Sequence, residues 1–144
     1  MTATAFLARL RRSTSGSTVI EFGLLAPVML TMMLGVLHVG LAMQAYNSLR
    51  GASTDVIRYA VTNYQSSSKL TNAQIQSHAI SAATTAPYLL DSNKLSTTVI
   101  TATTQRVSGA TELTLTYTYT ISTLLSIIGL PDVSITVTRP IFVT

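Results

Sequence analysis

Gly16-Ser-Thr-Val-Ile-Glu21-Phe22-Gly-Leu-Leu-Ala26-Pro27-Val-Met-Leu-Thr31-Met-Met-Leu-Gly35-Val-Leu-His38-Val-Gly40-Leu-Ala42-Met43 decides the fold of this chain. From Phe22 to Ala42 it holds no charged residue. A helix rising about 1.5 Å per residue carries such a run across roughly 30 Å, the hydrocarbon thickness of a bilayer. The run therefore reads as a membrane-spanning helix over residues 19–43. Two residues exceed what a plain anchor needs: an acid, Glu21, at the start of the helix, and Gly16 five positions ahead of it.

A carboxylate at the bilayer centre costs about 2.5 to 3.5 kcal/mol on insertion scales, and less near an interface. Glu21 is thus read in two ways. In the first it lies at headgroup level, favoured by the positive end of the helix dipole. In the second, cleavage after Gly16 leaves Ser17 with a free ammonium, and Glu21 pairs with such a group on a neighbouring subunit, one helical turn setting an axial register. Pro27 removes one backbone hydrogen bond and invites a kink or local unwinding. Thr31 is expected to bond back to its own helix, and His38 to lie at the interface. Gly23, Ala26, Gly35 and Gly40 are small enough for close helix approach.

Working outward toward the start, residues 1–16 form a basic leader with Arg9, Arg11 and Arg12. Arginines ahead of a span hold that end in the cytoplasm, so the rest of the chain is expected outside. The apolar run exceeds the roughly 7 to 15 residues of an ordinary secretory signal. Gly40-Leu-Ala42 still offers a small-x-small site for signal peptidase, whereas cutting after Gly16 removes only the leader. The leader also accounts for the net charge of +4: without it six basic face five acidic residues. No basic run survives beyond the leader, which argues against a nucleic-acid partner. Cysteine is absent, so no disulfide or thiolate site is available.

Working outward in the other direction, helical spacing continues beyond Met43. Tyr46, Leu49, Ala52, Val56 and Ala60, with Ile57 and Tyr64 slightly displaced, recur at three and four. One continuous helix is expected from about Thr18 to Tyr64, amphipathic over 44–64, with Asp55 and Arg58 as exposed neighbours. Residues 65–144 of the 144 then build a small exported domain, which is marginal alone. Gln65-Ser-Ser-Ser-Lys69 breaks the chain, and Thr71-Asn72 caps a second, shorter helix through about Ala83 on Ala73, Ile75, Ala79, Ile80 and Ala83. His78 there reads as solvated. Ala86-Pro87-Tyr88 ends this helix and Asp91-Ser-Asn93 makes a turn.

The period then changes to two. Leu95, Thr97, Val99 and Thr101, then Leu113, Leu115, Tyr117, Tyr119 and Ile121, then Val133, Ile135 and Val137 alternate with mostly polar neighbours, Glu112 among them. Three β-branched-rich strands result, the first two joined through Val107-Ser-Gly109-Ala, with the long helix as cover for one face. The expected fold is α+β: a long helix, a second short helix and a three-stranded antiparallel sheet. Leu124 to Leu130 is more apolar than a loop requires; it closes the small core or forms a patch that meets a neighbouring subunit or the membrane surface.

Asp55, Asp91, Glu112, Asp132 and His78 are the exported acids and imidazole, and none stands at the spacing of an acid/base pair, a metal site or a nucleophile motif. Neither catalysis, nor a cofactor, nor a metal is expected.

Gly16 followed by Ser-Thr-Val-Ile-Glu21-Phe22 and then Gly-Leu-Leu-Ala-Pro27 resembles the amino-terminal signature of the TadE-like family, pseudopilins of the Tad (Flp) type IV pilus system. Arg58-Tyr-Ala60 is similar to a segment the family carries farther down its helix. The resemblance implies a pilin-like architecture, cleavage by a prepilin peptidase between Gly16 and Ser17, and an assembly role for Glu21 and Phe22. It further implies a bacterial inner-membrane protein, single-pass, with its amino terminus cytoplasmic and its carboxy-terminal domain periplasmic, available for incorporation in a surface pilus. Implied partners are the peptidase, other pilin and pseudopilin subunits, the Tad inner-membrane assembly platform and lipid. The length, greater than that of major pilins, points to a minor subunit serving surface attachment. Two alternatives stand beside it: an unprocessed single-pass anchor carrying a small exported binding domain, and a pseudopilin of a type II secretion machine.

Overall fold

The computed structural model describes residues 15–64, 69–122, 129 and 131–144. The leader up to residue 14, the polar break at 65–68 and the apolar 124–130 segment, Gly129 apart, lie outside the described residues. The chain divides into two units, Met1–Leu37 and His38–Thr144. Helix α1, Ser15–Tyr64, runs uninterrupted from the first into the second.

In Met1–Leu37, α1 is a bare apolar rod. Phe22 is 70% exposed, and Val19, Leu24, Met32 and Val36 are similarly uncovered. The helix is long and apolar enough to cross a membrane, with a mean hydropathy of 2.0 over its richest window and none of that window buried. Of the kink or local unwinding that Pro27 invites, α1 shows no break: the helix continues through the proline, a continuity that a kink would also keep. A backbone in an apolar setting has no other partner for its carbonyls, which favours keeping the helical ladder. Thr31 Oγ1 donates back to Pro27 O at 3.0 Å and Val28 O at 2.8 Å, as its position implied.

In His38–Thr144 the outer half of α1 presents Ala45, Leu49, Ala52, Val56 and Ala60 to the core. This is the expected stripe with one correction. Ala45 takes the innermost place, and Tyr46 turns outward, its ring carrying the Arg50 guanidinium 5.6 Å from the centroid. Ser53 is also buried, donating to Arg50 O at 2.8 Å. Helix α2, Asn72–Thr84, begins in a capping box: Thr71 and Gln74 exchange side-chain and backbone hydrogen bonds, satisfying amides that the first turn leaves without partners. Its inward residues are Ile75, Ala79 and Ala83; Ala73 and Ile80, expected with them, are exposed. A 3-10 turn, Ser92–Lys94, capped by Asp91, leads into the sheet.

Strands β1 (Leu95–Thr101), β2 (Thr111–Ile121) and β3 (Val133–Val143) form one antiparallel sheet in the order β1-β2-β3. The register sets Val99 against Leu115, Tyr117 against Val137 and Leu113 against Ile141. Alternation puts Leu113, Leu115, Tyr117 and Ile121 inward, where they join Val99, Val137, Ile141 and the helix stripe in one core. Tyr117 Oη donates to Ala79 O at 2.8 Å and Gln76 Nε2 to Thr97 O at 2.9 Å, tying α2 to the sheet and covering a carbonyl of an edge strand.

β3 runs beyond the alternating 133–138 pattern, through Pro140 to Val143. Ala102 N donates to Glu112 O at 2.9 Å, so alternation along β2 also turns Thr114 toward β1. Pro140, opposite Thr114, therefore has its donorless nitrogen on the outer edge, where proline is tolerated.

Candidate processing and assembly site

Gly16, Ser17, Glu21, Phe22 and Pro27 all belong to the first turns of α1. A rise of about 1.5 Å per residue spreads them over roughly 17 Å of helix. The structure brings them together only as neighbours along this helix. Glu21 and Phe22 are exposed, and adjacent positions point about 100° apart around the axis. What the described residues present is a peptide bond, an exposed acid and an exposed aromatic along one helix.

Gly16, like Gly23, Gly35 and Gly40 of the same helix, is not demanded by the fold; what sets it apart is its place five residues before Glu21. A Cβ built there meets no atom within 4 Å, and its backbone lies outside the left-handed region. Glycine at this position is explained neither by internal packing nor by backbone conformation. By contrast, Gly51 is pressed against Tyr88, and Gly109, φ +83°, turns the hairpin loop.

The polar groups of His38–Thr144 form structural links. Glu112, expected on the solvated face of β2, is only 4% exposed. Arg106 returns across the hairpin loop to grip it, Nε donating to both carboxylate oxygens at 2.8 and 3.0 Å, with Nη2 also paired to Oε1. Gln105 Oε1 accepts the Glu112 amide, and the Arg106 guanidinium lies over the Phe142 ring at 5.4 Å. The hydrogen bonds from Arg106 hold the Glu112 carboxyl below the usual carboxylate range, against burial, which pushes it up. The sequence signal was a lone acid and a lone base flanking a turn, visible only once the turn is closed.

His78, expected to be solvated, stacks on Tyr59 with centroids 3.7 Å apart and is half-buried. Among the described residues Asp55 forms no ion pair with an arginine; it accepts a hydrogen bond from Tyr88 Oη at 2.8 Å, which raises the Tyr88 phenol. Burial likewise pushes the Tyr117 phenol up. Among the described residues, no three His, Asp or Glu side chains converge on a metal-sized site. Among the described residues an open cleft of about 280 Å³ lies between Leu41 and Gln44 of α1, Leu89, Lys94, Tyr119 and Ile121.

Comparison with known families gives one match: residues 16–58 fit the family described as TadE-like protein. The amino-terminal helix is TadE-like over that stretch, whose first residue is Gly16. No curated protein and no solved structure matches the chain.

Proposed function

From this TadE-like helix, we propose that the chain is a minor pseudopilin: a prepilin peptidase cleaves it after Gly16, and the mature chain, beginning at Ser17, takes part in assembling a Tad (Flp) pilus for surface attachment. The observation that carries this reading is Gly16 itself. It opens the family match, its surroundings would accept a larger residue, and its backbone would accept any. A requirement that the fold does not impose is well explained by an enzyme that must admit the residue. Glu21 and Phe22 follow at the family's spacing, and the apolar helix supplies the lipid-embedded store from which a subunit is drawn. The partners are then the peptidase, other pilin and pseudopilin subunits and the inner-membrane assembly platform. The chain acts as a substrate and a building block, not as a catalyst.

The amino-terminal sequence of protein recovered from native membranes tests this. Ser17 is the expected start, and Gly16→Val is expected to leave the leader attached. A start at Met1 or Thr2 would replace the proposal with an anchored binding domain; a start at Met43 would make the helix a secretion signal.

A further inference from the structure

Leu89 is 72% exposed and has φ +51°, a left-handed conformation that a leucine adopts only against steric resistance. Its backbone is held there. Leu89 N donates to Thr85 O and Leu90 N to Ala83 O, each at 3.0 Å, while Tyr88 on one side is bonded to Asp55 and Leu90 on the other is buried. A surface position of this geometry in water suits glycine or asparagine. Here it displays an apolar side chain, and what surrounds it indicates why.

Leu89 lines the open cleft with Leu41, which lies near the outer end of the apolar 19–43 stretch read as the span. Ile121, at the end of β2, lines the same cleft and is paired with Val133, itself 47% exposed. Tyr88 and Tyr119 also line it, together with the polar Gln44, Ser48 and Ser122, and among the described lining residues Lys94 alone is charged. Apolar tips at the depth where a span leaves the hydrocarbon, with tyrosines and a lysine beside them, are the composition of a membrane interface.

We propose that this end of His38–Thr144, formed by Leu41, Leu89, Lys94 and Val133, seats on the phospholipid surface of the bilayer that α1 crosses, with the Lys94 ammonium on a lipid phosphate. The proposal rests on reading α1 as membrane-spanning. Before assembly the domain is thereby held against the membrane, and leaving the bilayer exchanges this lipid contact for subunit contacts.

The chain has no cysteine, so single labels are unambiguous. The full chain, one copy per nanodisc of phosphatidylglycerol and phosphatidylcholine, would carry a fluorophore at Leu89→Cys, Val133→Cys, Leu30→Cys or Val107→Cys. Quenching by aqueous iodide and by headgroup-level nitroxide lipid is read for each. Labels at 89 and 133 are expected to be quenched by the nitroxide lipid and to resist iodide several-fold better than the label at 107 on the hairpin loop. Adding Lys94→Glu is expected to restore iodide access at 89. Iodide access at 89 and 133 equal to that at 107, with 30 still protected, overturns the seating and leaves the span intact. Iodide access at 30 as well overturns the span and this proposal together. Protection at 89 and 133 without nitroxide quenching means that protein rather than lipid covers them, and equally overturns it.

Discussion

Gly51 illustrates how much one missing Cβ can decide. A methyl group there would lie 2.5 Å from Tyr88 Cε1, and the ring has little room to retreat because its hydroxyl is bonded to Asp55 one turn along α1. From the sequence Gly51 reads as a weak point in a helix; its partner lies far along the chain, so only the folded structure gives the reason. Alanine would return about 1 kcal/mol of helix propensity, while overpacking costs about 1 to 3 kcal/mol. Gly51→Ala is thus expected to destabilise the full chain in detergent, read by denaturant unfolding. In a Tyr88→Ala background the same change is expected to stabilise, and failure of the sign to reverse would refute the clash. Thr97 poses the opposite case. It is buried, and its Oγ1 has no hydrogen-bond partner among the described residues. An unsatisfied buried hydroxyl costs about 1 to 3 kcal/mol, and valine keeps its shape and suits a strand. Thr97→Val should raise the unfolding midpoint by the equivalent of about 1 kcal/mol; an unchanged or lower midpoint would show that the hydroxyl is satisfied.

The β1–β2 hairpin depends on Glu112, whose carboxylate fastens the intervening loop through Arg106. Because the folded state holds this carboxyl below its unfolded value, the link contributes fully above the unfolded carboxylate range, about pH 4.3, and is lost as pH falls through the depressed folded value. Unfolding midpoints between about pH 5 and pH 2 are expected to fall less in Glu112→Gln than in the parent chain, and parallel profiles would remove Glu112 from acid sensitivity. Strict alternation made β1 and β2 legible, and it also hid Glu112: a period of two assigns a face, but not what a loop folds back over that face. The same limit shortened β3, since Pro140 signals a strand end unless it is known to lie on an edge. In α1 the three-and-four spacing found the inward stripe, yet Tyr46 and Ala45 differ by only one step around the helix. Size favoured the tyrosine, whereas in the fold the alanine is buried and the tyrosine exposed.

The two units of the chain obey different solvents. His38–Thr144 hides its apolar residues in one core, whereas Met1–Leu37 displays them along α1. The proposed processing and assembly motif lies wholly in the second kind of environment, and the proposal rests on the sequence because a linear signal on an exposed helix owes nothing to tertiary packing. The cleft at Leu89 was not readable, because it draws on α1, the turn after α2 and the end of β2. In the proposed function Glu21 connects the motif to assembly. It stands five residues after Gly16, so cleavage places a new ammonium about one helical turn from its carboxylate, and in a filament the acid of one subunit can meet the amine of the next. A lipid setting strengthens such a pair, since the dielectric that makes a lone carboxylate costly also magnifies its attraction to a cation. Glu21→Ala is therefore expected to be inserted in the membrane and cut at Ser17, yet to lose crosslinks to neighbouring subunits and to abolish or sharply reduce piliation. Glu21→Asp should retain part of both. Processing and subunit contacts that are normal in Glu21→Ala would leave the acid as an interfacial residue favoured by the helix dipole, with no part in register.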